Sequence, residues 1–274
     1  MNNYAEQLAR WRQQQEESLR SEKGWLSAVA LTGIEPGEYT IGSSPACDIA
    51  LPPGAPALLA TLSHQPPVTA ITFGAAGGVL LNGEAVAAGA SYPLRIEKGA
   101  ADREICWGPI TVVVLQRANR LAVRVLDARS AARREHAGRR WYPADPTLVL
   151  AADWIPCELS RSIDVPDVLG NLRTAELPGY ASFTLAGKRR HLYAIAQDDN
   201  LLFIFKDGTS GRETYGAGRF LYADWPRNAV VTLDFNRAVN PPCAFTPFAA
   251  CPLPPVENHL DVAVRAGELK PDYG

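Results

Sequence analysis

The chain has 274 residues, which allows one large domain or two smaller ones. It is 47% hydrophobic and 20% charged, as globular proteins are, and its net charge of −2 excludes a general attraction to nucleic acid or anionic membranes. No apolar run reaches the roughly 18 residues that a membrane-spanning helix needs. The polar, charged start lacks the apolar region of a secretory signal. Five cysteines in such a chain therefore predict reduced thiols and a cytoplasmic location.

The first predicted element is a helix over residues 4–20. Tyr4, Leu8, Trp11 and Leu19 fall on one stripe at helical spacing. A helix of this kind either packs on its own domain or binds a partner. The pattern favours packing on its own domain, with partner binding as the alternative.

Residues 24–127 are predicted to form an antiparallel β-sandwich. Short apolar segments are separated by turn residues, as in many sandwiches and barrels. The Asn82-Gly83 pair favours a two-residue hairpin because both residues tolerate positive φ. Ala118-Asn119 is predicted to turn the last pair of strands. The predicted strands are residues 25–31, 38–41, 68–73, 79–81, 92–96, 104–107, 110–116 and 121–126.

Two stretches of this half resemble a forkhead-associated (FHA) sandwich. Residues 41–51 are similar to its opening strand and turn. Residues 81–84, followed by Leu94 and Trp107-Gly108, are similar to its later hairpin and closing strands. The resemblance implies an FHA-like fold for this half of the chain.

The same resemblance argues against phosphopeptide binding. The FHA family binds phosphothreonine through an Arg directly after the first Gly and through a Ser-x-x-His further on. This chain has Ser43 in place of that Arg, and its Ser63-His64 pair lacks the spacing. Without charge-assisted donors for the phosphate, we expect no phosphothreonine-peptide partner. A scaffold that makes protein contacts through this half remains an alternative.

Residues 128–140 interrupt the β pattern with a run of arginines, predicted to be a solvated connector or, alternatively, an anion-binding patch. Beyond it, residues 138–274 are predicted to form a second antiparallel barrel or sandwich, since no strand–helix–strand units occur. Residues 1–23, the helix segment, complete the predicted division of a mostly β chain. The predicted strands of the second domain are residues 180–185, 191–196, 201–205, 220–222, 229–235 and 260–264.

The segment 207–219, which we call the Gly-rich loop, gathers many polar side chains among glycines. Glycine permits the turns that bring polar groups together, so the loop is suited to holding an anion or a sugar. A long hairpin loop that satisfies its own turns explains the composition equally well. The ligand-binding candidates in this loop are Arg212, Thr214, Tyr215 and Arg219.

The segment 236–258, which we call the Pro-rich loop, has no charge between Arg237 and Glu257. Its prolines exclude a helix or a central strand, and its apolar composition predicts burial against the domain. A long irregular segment of this kind is usually functional or disordered, and disorder does not suit the composition. Its ligand-binding candidates are Asn236, Asn240 and Asn258.

The two loops, with Gly24-Trp25-Leu26 and residues 138–143, closely resemble an uncharacterised bacterial family, domain of unknown function 1684. Asn-Pro-Pro-Cys-Ala-Phe-Thr-Pro at residues 240–247 and Cys-Pro-Leu-Pro-Pro-x-Glu-Asn at residues 251–258 are specific to this family. Val239 departs from it, because an aromatic residue is usual there. The resemblance implies no activity, since no catalytic residues are established for the family.

Carboxylates are the best candidates for chemistry. Asp207, Asp234 and Glu257 lie at strand ends or loop edges, where paired acids act as acid and base or hold a divalent ion. The alternative is a structural network in which Arg219 pairs with Asp234 or Glu257. Cys243 and Cys251 are predicted to be buried structural cysteines. We expect no metal site and no cofactor, and the alternative is a divalent ion held by the carboxylates.

Function is therefore open between three hypotheses. The favoured one is a binding protein for a small polar or anionic ligand, with the Gly-rich and Pro-rich loops as pocket walls. The second is a hydrolase-type enzyme that uses Asp207, Asp234 or Glu257. The third is a scaffold that acts through the FHA-like half. We further expect Asp207, Arg219, Asp234, Asn236 and Glu257 to face one region.

Overall fold

The computed structural model describes residues 2–74, 77–94, 103–117, 120–157, 162–168, 170, 172–197 and 199–272. The chain divides into two compact units. One is Ser18–His136, called the sandwich unit below. The other combines Met1–Glu17 with Ala137–Gly274 and is called the barrel unit.

The predicted N-terminal helix is confirmed. Helix α1 spans Asn2–Arg20 and begins two residues earlier than the stripe indicated. Leu8, on that stripe, is 1% exposed because it packs in the barrel unit. Helix formation here follows from the regular apolar spacing in a stretch free of proline and glycine.

A second, short helix was not predicted. Within the arginine-rich segment taken as a connector, α2 spans Ala131–Glu135. Ser130 caps it, since its hydroxyl accepts a hydrogen bond from the backbone N–H of Arg133 at 3.2 Å. The same hydroxyl donates to the carbonyl of Leu26 at 2.6 Å, which ties the segment to the sandwich unit.

The sandwich unit consists of two sheets. β1, β11, β10, β9, β6 and β7 form a six-stranded antiparallel sheet in that order. β3, β2, β4, β5 and β8 form a five-stranded sheet, in which only the β2–β3 pair is parallel. The strands are β1 (Ala28–Ile34), β2 (Gly37–Gly42), β3 (Ile49–Ala50), β4 (Ala60–Gln65), β5 (Val68–Phe73), β6 (Val79–Leu81), β7 (Glu84–Ala85), β8 (Ser91–Pro93), β9 (Arg103–Trp107), β10 (Ile110–Arg117) and β11 (Arg120–Asp127).

Side chains from both sheets fill one core. Ile41, Leu62 and Ile71 come from the five-stranded sheet and Val112 and Val123 from the six-stranded sheet, and all five are 0% exposed. Alternation along each strand sends these residues inward and their neighbours toward solvent.

The predicted turns and strand starts of this unit agree with the structure only in part. Asn82 and Gly83 adopt φ of 51° and 89° between β6 and β7, so the predicted hairpin is confirmed. The predicted Ala118-Asn119 turn lies outside the described residues. Residues 25–27, expected to begin a strand, form a 3-10 helix, and β1 starts at Ala28. Strand β4 was missed because Leu62 is its only large apolar inward residue.

The barrel unit is built on one antiparallel sheet in the order β18-β17-β16-β15-β12-β19. Its two edge strands, β18 and β19, contact each other across a seam, so the sheet is a nearly closed barrel. β13 and β14 form a separate hairpin. The strands are β12 (Val149–Pro156), β13 (Ser162–Pro166), β14 (Leu172–Glu176), β15 (Gly179–Leu185), β16 (Lys188–Ala196), β17 (Leu201–Phe205), β18 (Arg219–Ala223) and β19 (Val230–Asp234).

The barrel interior is rich in phenylalanine. Phe203, Phe205 and Phe235 are 0% exposed, and the rings of Phe205 and Phe235 meet edge to face at 5.5 Å between centroids. This packing explains why the wholly apolar run of β17 is buried at every position. The predicted mostly β class, with a sandwich followed by an antiparallel barrel, is confirmed.

One predicted strand of this unit is wrong. Residues 260–264 are irregular, because their backbone groups bond to the start of the Gly-rich loop instead of to a strand ladder. Leu260 N–H donates to the carbonyl of Lys206 at 2.8 Å, and Gly208 N–H donates to the carbonyl of Val262 at 2.9 Å. The Pro-rich loop, as predicted, contains neither α-helix nor regular strand, only short 3-10 turns.

Candidate functional site

The polar side chains of the Gly-rich loop bond to one another inside the barrel unit. Thr209 and Thr214 are 0% exposed, and their hydroxyls lie 2.8 Å apart. The Thr209 hydroxyl donates to Asp207 Oδ1 at 2.8 Å, and the Val264 N–H donates to Asp207 Oδ2 at 2.6 Å. The carboxylate of Asp207 is therefore already satisfied by the protein.

Arg219 is the cation of this buried cluster. It begins β18, points into the barrel and is 0% exposed. Its guanidinium donates to the carbonyls of Ala266 and of Val264, the latter at 3.0 Å. Its Nη2 lies 3.4 Å from Asp207 Oδ1, and its Cζ lies 5.1 Å from the centre of the Phe205 ring. Burial lowers the pKa of Arg219, while Asp207 opposes that shift. The expected partners Asp234 and Glu257 were wrong, because Asp207 fills that role.

The outer side of the Gly-rich loop is held by a second network. Glu213 accepts two hydrogen bonds from Arg265, each at 3.0 Å, and one from the Tyr142 hydroxyl at 2.9 Å. The hydrogen bonds from Arg265 are the main reason that the pKa of Glu213 lies below its ordinary value. Burial and Glu213 together raise the pKa of Tyr142 to about 12. Arg212, a ligand-binding candidate, is exposed and donates to the carbonyl of Gly208 at 2.7 Å.

Two of the three asparagine candidates of the Pro-rich loop, Asn236 and Asn258, hydrogen-bond to the backbone of other segments. Asn258 is 1% exposed and donates to the carbonyls of Tyr193 and Ile204 at 2.9 and 2.8 Å. Asn236 exchanges two hydrogen bonds with the backbone of Asp145, each 2.8 Å long. An asparagine that pairs with both backbone groups of another residue acts as a substitute for a sheet ladder. These contacts are structural and leave little capacity for a ligand.

A buried ion pair lies behind the Pro-rich loop. Glu268 is 1% exposed, accepts from the backbone N–H of Asn240 at 2.7 Å, and has Oε1 at 3.5 Å from Arg139 Nε. Burial raises the pKa of Glu268 to about 7, although Arg139 and Asn240 oppose the shift. The Arg139 guanidinium also lies 5.1 Å from the centre of the Phe245 ring. A sequence reading that concentrated on residues 207–258 missed both members of this pair.

Asp234 belongs to a different group, at the start of α1. The Tyr4 hydroxyl donates to Asp234 Oδ1 at 2.9 Å, and Asp234 Oδ1 also accepts from the backbone N–H of Asn236 at 3.1 Å. Arg237 Nε lies 3.3 Å from Asp234 Oδ2, and its Cζ lies 5.6 Å from the centre of the Trp11 ring. Burial, with the Asp234 hydrogen bond, raises the pKa of Tyr4 to about 12.

The sequence candidates therefore separate by their partners. Asp207 and Arg219 are together in the buried cluster, while Asp234 and Asn236 are together beside Tyr4. Glu257 is exposed and belongs to neither set of contacts. Cys251 is buried as predicted, but Cys243 is only partly buried, so that part of the expectation is wrong.

A cleft lies at the seam of the barrel, away from the Gly-rich loop residues. Its volume is about 780 Å³, and its lining comes from the edge strands β18 and β19, from α1 and from the connection between the two strands. Three aromatic side chains, Trp11, Tyr222 and Trp225, line it together with valines that include Val230. Tyr222 is 46% exposed, Trp225 is 41% exposed and Val230 is 41% exposed.

The connection at one end of the cleft is a strained tight turn. Asn228 and Ala229 adopt φ of 51° and 58°, between Arg227 and Val230, whose backbones exchange two hydrogen bonds. The Trp154 N–H donates to the carbonyl of Ala229 at 2.8 Å and pins the turn. A left-handed alanine costs roughly 1–2 kcal/mol relative to glycine. Such strain is frequent at binding sites.

Four charged residues line the cleft, as two acids and two arginines. Asp234 and Arg237 pair with each other at 3.3 Å. Asp224 and Arg227 lie on the connection between β18 and β19, and both are exposed. One feature of the sequence could have indicated the cleft. It is the Tyr-Ala-Asp-Trp-Pro-Arg run at residues 222–227, in which two large aromatic residues lie at the end of a strand, just before a proline.

No group of three or more His, Cys, Asp or Glu side chains in the described part of the chain is arranged to hold a metal ion. Among the same residues, no helix has the length and apolar character needed to cross a membrane.

Comparison with known proteins agrees with the family resemblance. Residues 134–269 match the model of the family described as "Protein of unknown function (DUF1684)". This region lies almost entirely in the barrel unit, and it contains the two loops and all of the cleft lining except Trp11 and Gln15.

A solved structure and the curated proteins add little more. The NMR structure of an uncharacterised protein of Haloarcula marismortui is 31% identical, covering 50% of this chain and 78% of its own, with a TM-score of 0.43. No curated protein matches the chain.

Proposed function

We propose that the barrel unit binds a small molecule in the cleft between β18 and β19, and that this ligand has a flat apolar body and one anionic group. The observation that carries the proposal is the cleft itself, with its volume of about 780 Å³ and a lining that combines three aromatic side chains with valines and polar residues. Sites for small molecules usually measure about 300–1,000 Å³ and combine aromatic and apolar side chains with a few polar groups.

The aromatic side chains supply the apolar contact. Trp225 and Tyr222 remain more than two-fifths exposed, although each faces a concave surface. A flat ligand between them would bury ring surface, which is favourable by about 25 cal/mol for each Å² removed from water. Tyrosine and tryptophan are suited to this role because they are rigid and carry a polar group at one edge.

The arginines supply the preference for an anion. Arg237 is already held by Asp234, whereas Arg227 is exposed and has no ion pair within the described part of the chain. Asp224 on the same connection disfavours a ligand with several negative charges through like-charge repulsion. One carboxylate or sulfonate next to Arg227 fits this arrangement best.

The test uses the purified full-length chain and 8-anilinonaphthalene-1-sulfonate, a flat aromatic probe with one sulfonate. Val230→Glu places a charge at a 41% exposed wall of the cleft. Its matched control is Val256→Glu, at a 74% exposed position that does not line the cleft. We expect the first variant to weaken probe binding by about tenfold or more, since a bound probe would cover the added carboxylate and burying an unpaired charge is costly. The control should bind like the original chain.

Equal binding by all three proteins would overturn the proposal, as would equal weakening by both variants. Arg227→Gln tests the anionic group of the proposed ligand separately from its apolar body. If it weakens the sulfonate probe but not the uncharged N-phenyl-1-naphthylamine, the anionic preference is supported. Native mass spectrometry of the purified chain then searches for the natural ligand.

A hydrolase that uses Asp207, Asp234 or Glu257 has less support. The first carboxylate is satisfied by Thr209 and Val264 and lies beside Arg219, the second is bonded to Tyr4, and the third is exposed. A pair that acts as acid and base needs both members within reach of one substrate. No two of these three share a hydrogen-bond partner among the described residues.

We also propose that the sandwich unit is FHA-like in fold and does not bind phosphothreonine. Its arrangement of six and five strands is compatible with that resemblance. Ser43, at the position of the phosphate-binding Arg, donates its hydroxyl to the carbonyl of Ala55 at 2.7 Å, and His64 Nδ1 lies 2.8 Å from the Thr69 hydroxyl. A phosphothreonine peptide library should show no binding that is lost on dephosphorylation.

We also propose a cytoplasmic location, as expected from the sequence. None of the five cysteines is in a disulfide, which fits that location.

A further inference from the structure

Two cysteines meet within the Pro-rich loop. The backbone N–H of Cys243 donates to Cys251 Sγ at 3.2 Å across a separation of eight residues. Neither cysteine is in a disulfide bond. Since the sulfur of one residue touches the backbone of the other, the two side chains start from adjacent points of the chain. Disulfide formation requires such proximity, with Cα atoms closer than about 7 Å.

The loop around the two cysteines is fixed at several points. Pro241 and Pro242 precede Cys243, and Pro252 follows Cys251, so backbone φ is restricted on both sides. The Tyr215 hydroxyl donates to the carbonyl of Cys243 at 3.0 Å. The thiols are therefore held near each other and do not meet only by chance motion.

The two thiols differ in accessibility. Cys251 is 5% exposed, whereas Cys243 is partly exposed. A hydrogen bond with Cys251 lowers the pKa of Cys243, and one with Tyr215 adds to this effect against the opposing effect of burial. The thiolate is the reactive form of cysteine, so accessibility and the lowered pKa both favour Cys243 as the first thiol of the pair to react.

We propose that Cys243 and Cys251 form an oxidisable pair, in which a hydroperoxide oxidises Cys243 and Cys251 then closes a disulfide. In the first step, the Cys243 thiolate attacks one oxygen of the hydroperoxide. The S–O bond forms, the O–O bond breaks, and hydroxide or an alkoxide leaves with the electron pair. In the second step, the Cys251 thiolate attacks the sulfenic sulfur, the S–S bond forms, and hydroxide leaves.

The test exposes the intact chain to hydrogen peroxide, blocks remaining thiols with iodoacetamide, and analyses a tryptic digest. Trypsin releases residues 238–265 as one peptide, because no Lys or Arg lies between Arg237 and Arg265. This peptide contains Cys243 and Cys251 and no other cysteine. We expect it to lose two hydrogen atoms and to escape alkylation. Cys47, Cys106 and Cys157, in other peptides, should remain alkylated at the same peroxide dose.

Two variants test which cysteine is oxidised first and which one closes the disulfide. Cys251→Ser should stop the reaction at a sulfenic acid on Cys243, which dimedone traps. Cys243→Ser should leave the shielded Cys251 reduced. The proposal fails if the peptide of the original chain stays fully alkylated, if Cys243 passes to sulfinic acid while Cys251 remains a thiol, or if the three other cysteines are oxidised as fast. Because the first measurement needs no substitution, a variant that does not fold leaves that test intact.

Discussion

The Gly-rich loop and the seam cleft lie in the same unit and make opposite use of polar residues. In the loop, Asp207, Thr209 and Arg219 are buried and bond to each other or to backbone carbonyls. At the cleft, Trp225 and Arg227 stay exposed beside an open volume. The buried polar groups of the loop are therefore largely engaged by the protein itself. The cleft is less conspicuous in sequence but has capacity left for a ligand.

If the cleft is the binding site as proposed, the density of polar residues in a sequence is a poor guide to a site. A group that already has its hydrogen-bond partners gains little by binding a ligand, since it must exchange one set of bonds for another. An exposed aromatic ring in a concave surface breaks no hydrogen bonds within the protein when a ligand covers it, and the contact removes apolar surface from water. The comparison can be challenged by substitutions whose expected effects on stability differ between the two places.

The largest effect is expected from Arg219→Ala. The substitution leaves the buried carboxylate of Asp207 without its cation and removes the donors to the carbonyls of Val264 and Ala266. Breaking a buried pair of this kind costs about 3–5 kcal/mol. Urea unfolding followed by circular dichroism should show the loss. Arg212→Ala, an exposed arginine of the same loop, is the control and should stay within about 0.5 kcal/mol of the original chain. Similar stabilities for the two variants would contradict a structural role.

A slightly smaller effect is expected from pH, through Glu268. Its pKa is raised to about 7 by burial, so the folded chain keeps a proton there that the unfolded chain has lost. The contribution of this group to stability is complete below the unfolded pKa, near 4.3, and is lost as pH rises through the folded pKa. The total is on the order of 3 kcal/mol.

The measurement compares unfolding free energies of the original chain and Glu268→Gln between pH 5 and 8. The original chain should lose stability relative to the variant as pH rises, because glutamine does not titrate. Parallel pH profiles for the two proteins would show that Glu268 keeps an ordinary pKa.

The sequence predicted local elements of the fold better than contacts between distant segments. The helix stripe, the Asn82-Gly83 hairpin and the buried strand β17 were predictable because each rests on a local pattern. Strand β12 was not, since its apolar and polar residues do not alternate strictly. The partner of Arg219 was misassigned because pairing of β17 with β18, register Phe205↔Arg219, sets it and is not readable from a single sequence.

The cleft could not be predicted for a related reason. Its lining comes from α1, β18 and β19, and only barrel closure brings these together. Trp11 and Trp225 are far apart in sequence, and each alone is an ordinary aromatic residue. The Asn228-Ala229 turn was equally hidden, because alanine gives no sign that its φ is positive.

A modest gain in stability is expected from Ala229→Gly. Glycine adopts the φ of 58° without strain but loses more backbone entropy on folding, so the net gain is about 0.5–1 kcal/mol. Thermal unfolding should show a higher midpoint for the variant. The matched change Ala151→Gly, on β12, should lower stability, because glycine weakens a strand. A lower midpoint for Ala229→Gly would mean that the turn is not strained.

The smallest effect on stability, with the clearest effect on binding, is expected from Trp225→Ala. The side chain is 41% exposed, follows the end of β18 and makes no ring contact or hydrogen bond with the described residues. Its removal should therefore change the free energy of unfolding by no more than about 0.5 kcal/mol. The same removal takes away one of the three aromatic walls of the cleft, and it should weaken binding of 8-anilinonaphthalene-1-sulfonate by about tenfold. Leu172→Ala, at a 69% exposed residue of β14 that does not line the cleft, should change neither quantity. If Trp225→Ala instead unfolds the chain as Arg219→Ala is expected to do, the tryptophan is part of the barrel's own packing, and the contrast between a closed polar cluster and an open aromatic cleft does not hold.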